Sequence, residues 1–221
     1  MMESFLNPRL VENKDWATFI FVACFALIAV TRSVFETRFA EFSKLIVSDK
    51  YIKVYRDNSN LMSWFNISLF VLHLVSLAFF IQLVLSYFGH AEKSDWVLYI
   101  RIVTLLGVFI LSKFLIEKII AASFNIDEFI EQFNLQKVSY RTYIGLLLLP
   151  IDIILYYSNS TPKSMVFALI AMILVINALT YAVSLRNYQN ALLGKLFYFI
   201  LYLCALEIAP YYFMYYWFTK S

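Results

Sequence analysis

The chain has 221 residues, of which 62% are hydrophobic, 19% aromatic and 15% charged, against about 25% charged in an ordinary soluble domain. Twenty-two Phe and sixteen Tyr are too many to hide in one soluble core of this length, which excludes the soluble classes and leaves a polytopic membrane protein. The net charge of +3 carries little as a total, but its distribution along the chain sets an orientation.

A membrane-crossing helix needs about 20 mostly apolar residues. Six stretches meet that length: 16–35, 61–88, 95–117, 138–158, 164–186 and 195–217. Before the first, Lys14 and Asp15 are mixed in sign, and Phe21 is wrong for a lipoprotein-type cleavage site ahead of Cys24, so no cleavable signal peptide is read. Cys24 and Cys204 both lie in apolar segments and read as packing residues. After the first span, Phe35, Phe39, Phe42 and Ile46 recur at helical spacing, with Glu36, Arg38, Glu41 and Lys44 on the other face. This predicts an amphipathic helix lying in the membrane interface. The stretch SDKYIKVYRDNSN that follows reads as a polar loop. Short connections, GHAEKSD and SNSTPK, make tight turns after the second and fourth spans. After the third, Asn125 and Glu128 stand at capping-box spacing ahead of an apolar face of Phe129, Ile130 and Phe133, which predicts a second interfacial helix.

Lys and Arg near span ends favour the cytoplasmic side. Twelve of the eighteen fall on the side that holds the first, third and fifth connections. That side is therefore expected to be cytoplasmic, with both termini periplasmic.

Ionisable groups inside a bilayer are costly and point to function or to interhelical pairing. At 1.5 Å per residue, Glu207 and His73 lie roughly 18 Å from the cytoplasmic face, Asp152 roughly 20 Å and Arg101 roughly 21 Å. Four groups from four helices thus share one expected layer. They form either a charge-paired clamp that fixes helix register or a proton, ion or polar-substrate site. Pro150 stands two residues before Asp152, and Pro210 three after Glu207. Each removes a backbone donor, so kinks and free carbonyls are expected in the same layer. Lys113 and Glu117, four residues apart, read as a helical pair near the membrane surface. There is no glycine-rich phosphate loop, nucleophile elbow or zinc motif. No catalytic residue, metal or cofactor is expected.

The segments EKIIAASFN (117–125), YRTYIGLLLLP (140–150) and LEIAP (206–210) resemble a family of small multi-span membrane proteins found in Bacteroidota, whose last span carries a similar Leu-Glu-Ile-Ala-Pro motif. The family's role is not established. The resemblance implies a similar bundle in a bacterial inner membrane and carries over Arg141, Pro150, Glu207 and Pro210. With Asn125 and Glu128, Arg141 is a candidate interface or cap residue.

The expectation is one all-α integral membrane domain over 1–221, with six transmembrane helices and two cytoplasmic interfacial helices. The expected role is a non-catalytic accessory or scaffold subunit of a bacterial envelope complex, with a small proton- or ion-coupled transporter or channel as the alternative. The expected partners are the lipid bilayer and other envelope membrane proteins, not nucleic acid.

Overall fold

Only four glycines and four prolines interrupt the chain, so long apolar runs are free to close every backbone hydrogen bond within a helix, as a bilayer requires. The computed structural model describes residues 15–45, 50–55, 63–123, 127–158 and 163–187, and among them there is no strand. The described helices are α1 (Asp15–Val34), α2 (Glu36–Ser43), α3 (Lys50–Tyr55), α4 (Trp64–Tyr87), α5 (Trp96–Ser123), α6 (Asp127–Tyr157) and α7 (Lys163–Asn187).

Four helices are long and apolar enough to cross a membrane: α1, α4, α5 and α6 from Ile130 to Tyr157. They coincide with the first four expected spans. The fifth falls on α7, whose apolar stretch Ser164–Thr180 is shorter. The sixth, at 195–217, lies outside the described residues, as do Glu207 and Pro210.

Helix α4 occupies the centre, packing most extensively on α6 and then on α5 and α1. Half of its most apolar stretch is buried (50%), against 11% for α5. Leu105, Val108, Leu111 and Leu115 of α5 are exposed. A helix apolar on all sides with an uncovered face is what a lipid-facing span looks like.

Both ends of the bundle have local causes. At the C-terminus of α4, Gly89 takes a positive φ of 77°. Its N–H reaches the Ser86 carbonyl and the His90 N–H reaches the Leu85 carbonyl, both at 3.0 Å. That is the paired closure of a helix ended by glycine. Asp95 then caps α5 by accepting the Leu98 N–H at 3.0 Å. The loop between them folds back onto the bundle. Gln82 donates to the Asp95 carbonyl at 2.7 Å, and the Trp16 indole donates to the Ser94 carbonyl at 3.2 Å. The Lys93 ammonium donates to the carbonyls of Leu155 and Ser158, at 3.2 and 3.1 Å, and so holds the C-terminus of α6. Gln82 thus serves a loop rather than a neighbouring helix.

At the opposite end, α2 follows α1 after a break at Phe35, whose φ and ψ of −122° and 49° are not helical. Helix α3 occupies the stretch that reads as a polar loop, because Tyr51 and Ile52 are buried there with Phe42, Leu45 and Phe65. The Arg38 guanidinium lies over the Tyr55 and Phe65 rings, 4.8 and 4.7 Å from their centroids. It also donates to Ser63 Oγ at 3.1 Å and to Asn66 Oδ1 at 3.3 Å.

The second interfacial helix is not a separate element. Its residues from Asp127 are the first turns of α6, which runs unbroken for 31 residues. Glu128 lies in that first turn, while Asn125 lies outside the described residues, so the capping pair has no described geometry. The polar run after Phe133 suggests a break when hydropathy is read alone. In the fold Asn134, Gln136, Lys137 and Ser139 are buried against protein, and no Gly or Pro stands before Gly145 to end the helix. Helix α6 also continues through Pro150.

Helices α4 and α6 run in the same direction, and they meet most closely at Gly145. A Cβ placed there would lie 2.5 Å from His73 Nδ1 and 2.7 Å from His73 Cα. Only glycine permits that approach. Gly145→Ala is expected to destabilise the protein by about 1–3 kcal/mol, read as a lower thermal midpoint in detergent. His73→Ala in the same chain should not restore it, since the His73 Cα remains in the way. At the α3 end, burial pushes the Tyr51 hydroxyl above its ordinary value of 10.0. The folded chain therefore holds this proton more tightly than the unfolded chain. The stability it contributes is complete below the unfolded value and is lost as pH rises beyond it. Tyr51→Phe should lessen the alkaline loss of stability in a pH-resolved unfolding series.

Candidate functional site

The sequence places His73 and Ser76 one turn apart on α4, and Thr142, Gly145 and Asp152 at roughly helical repeats on α6. Parallel packing through Gly145 turns both sets toward one seam. Ser76 Oγ donates to Asp152 Oδ2 at 2.8 Å. Asp152 is fully buried (0% exposed) and Ser76 nearly so. Among the described residues, Asp152 Oδ1 has no hydrogen-bond partner. His73 is buried in the same seam, and its Nδ1 is likewise without a partner. Tyr99 of α5 completes the surroundings. Its hydroxyl has no hydrogen-bond partner among the described residues, and it interacts electrostatically with Asp152 and with Cys24 of α1.

The expected four-group layer is thus brought together only in part. His73 and Asp152 lie in one seam, and Glu207 lies outside the described residues. Arg101 does not join them, because its position on α5 is on the exposed face. Arg141, half-buried one turn before Gly145, is the cation that acts electrostatically on His73. Pro150 lies at the exposed surface of α6, and it has no N–H to give the Leu146 carbonyl.

A carboxyl group in this setting has few options. One serine donor does not compensate an ionised carboxylate removed from water. Either Oδ1 carries a proton, or a cation arrives to balance the charge. Both describe a group whose state depends on an exchangeable positive species. Among the described residues, no cluster of three or more His, Cys, Asp or Glu is arranged to hold a metal ion.

Nearer the α3 end, a second buried polar group behaves differently. Lys137 Nζ of α6 donates to Glu117 Oε1 of α5 at 3.3 Å, and both side chains are less than a tenth exposed. Glu117 thus has a partner on a second helix. Asn177 and Thr180 bond to carbonyls of α7 itself, Ile173 at 2.8 Å and Asn177 at 2.9 Å.

Several of these contributors escape a reading of the sequence. Ser76 could have been found as the residue one turn from His73. Tyr99 is hidden among sixteen tyrosines, and the pairing of Glu117 with Lys137 spans twenty residues and a helix connection. Glu117→Gln or Lys137→Met alone is expected to cost about 3–5 kcal/mol, because each breaks a buried ion pair by removing one partner. The double substitution should recover most of that loss in the same denaturation assay.

No curated protein and no solved structure matches this chain. A family profile covers almost all of it, from the first helix through the last apolar stretch. The chain belongs to the family described as a domain of unknown function (DUF4271), matched over residues 17–218.

Proposed function

We propose that this protein is a non-catalytic polytopic protein of a bacterial inner membrane that couples a proton or a small cation to Asp152. The observation that carries the reading is a fully buried carboxyl that has, among the described residues, a single serine donor and one oxygen without a partner. Several other buried or half-buried charges have an evident compensation: Lys137 has Glu117, Arg38 has two rings and two acceptors, and Lys93 has the end of a helix. Intramembrane carboxyls of this kind serve proton and ion pathways. In this reading the chain has six spans, the α2 and α3 end faces the cytoplasm and both termini are periplasmic. The twofold excess of Lys and Arg on that side supports the orientation. The LEIAP motif supports a place among Bacteroidota membrane proteins.

A second reading, an accessory subunit of an envelope complex, is favoured by the aromatic platform at the α2 and α3 end. Its rings and the Arg38 guanidinium hold two short helices against the bundle, which would present a fixed face to a partner.

The test is flux across proteoliposomes under an imposed potential, with proton-sensing and sodium-sensing dyes. The Asp152→Asn protein keeps the size and hydrogen-bonding capacity of the side chain. It is expected to fold, and to lower proton or cation flux by about tenfold or more. Equal flux from the wild type and the folded variant would remove the coupling reading. Enrichment of membrane partners on wild-type protein in mild detergent would then favour the subunit reading.

A further inference from the structure

The site at Asp152 has unlike surroundings on its two sides. Toward the α4–α5 loop stands a layer of rings. Phe79, one turn beyond Ser76, is fully buried and stacks on Phe21 at 4.5 Å, on Trp16 at 5.7 Å and against Tyr99 at 4.3 Å between centroids. Tyr156 meets Phe79 edge-on at 6.1 Å. Beyond the rings, Gln82 is engaged by the loop carbonyls. This layer draws on α1, α4, α5 and α6 and packs ring against ring around Phe79.

Toward the α3 end, buried polar groups recur along the same seam. On α4 they are Ser76, His73 and Asn66, and on α6 they are Thr142 and Ser139. Asn66 in turn accepts from Arg38 of α2, which reaches the edge of the bundle. The two helices meet closely at Gly145, where the absent side chain leaves His73 Nδ1 facing bare backbone. The His73 imidazole is buried one turn from Ser76, and its Nδ1 has no hydrogen-bond partner among the described residues, which suits it to pass a proton.

We infer that Asp152 exchanges its proton through the α4–α6 seam by way of His73, from the end that carries α2 and α3, while the Phe79 ring layer closes the other side. This rests on the reading of Asp152 as a coupling group and adds the identity of the ion, a proton, and its route. Ser76 of α4 donates to Asp152, and Tyr99 of α5 interacts electrostatically with Asp152 and with Cys24 of α1. Those that act on His73 include Arg141 of α6. The step is a transfer only: a proton passes between the His73 ring and the Asp152 carboxyl along the seam, in either direction, and no bond other than those to hydrogen changes.

The experiment is hydrogen–deuterium exchange of the Asp152 carboxyl in the full chain, followed by its infrared C=O band and assigned by subtraction of the Asp152→Asn spectrum. His73→Phe is expected to slow the exchange by about tenfold or more. Thr142→Val, a milder change in the same seam, should slow it less, and Phe79→Leu should leave it unchanged. Exchange that is unaffected by His73→Phe and Thr142→Val, or that quickens with Phe79→Leu, overturns the route. An Asp152 that shows no protonated band at any pH overturns the proton assignment. The flux assay distinguishes the failures: Asp152-dependent flux with a failed route keeps the coupling reading, and its absence removes both.

Discussion

The close approach of α4 and α6 at Gly145 is the contact on which the rest of the bundle depends. In a bilayer the apolar effect gives little drive for one helix to choose another, so packing and hydrogen bonds decide. A glycine that lets α6 come within reach of the His73 backbone fixes both the distance and the register of the two helices. That register places Ser76 against Asp152. The other helices are arranged around the pair: α1 and α5 contribute Phe21, Trp16 and Tyr99 to the rings near Asp152, and the folded-back loop secures the end of α6 through Lys93.

The polar chemistry of the protein is distributed by depth. Near the α3 end, cations are compensated locally, Arg38 by aromatic faces, a hydroxyl and an amide, and Lys137 by Glu117. At the opposite end, the Lys93 ammonium sits where the negative end of a helix dipole favours it. Between these lies Asp152, for which a serine is the hydrogen-bond donor. Its contrast with the compensated charges is what separates Asp152 from the other buried polar groups.

The site was legible in the sequence only as a list of candidates. An aspartate and a histidine deep in apolar spans are visible from hydropathy, and Asp152 and His73 do share a seam. Arg101 has the same expected depth, yet depth along a helix does not say which way a side chain points, and α5 turns this position outward. The partner of Glu117 illustrates the same limit. Four-residue spacing points only to Lys113, whereas the fold also brings a cross-helix neighbour, Lys137, to 3.3 Å.

The sequence by itself determined the membrane class, the helical content and the approximate limits of the first four long apolar helices, because length and hydropathy are local properties and a bilayer tolerates few backbone solutions. It also located the glycine-ended turn after α4 and the amphipathic character of α2. Only the tertiary structure decided that α3 is a helix, since its stability comes from burying Tyr51 and Ile52 on the bundle. The unbroken course of α6 was likewise a tertiary outcome, because its polar turns are sheltered by neighbouring helices rather than by water. The pairing of Ser76 with Asp152 depends on the rotation of two helices about their own axes, and packing, not composition, sets that rotation.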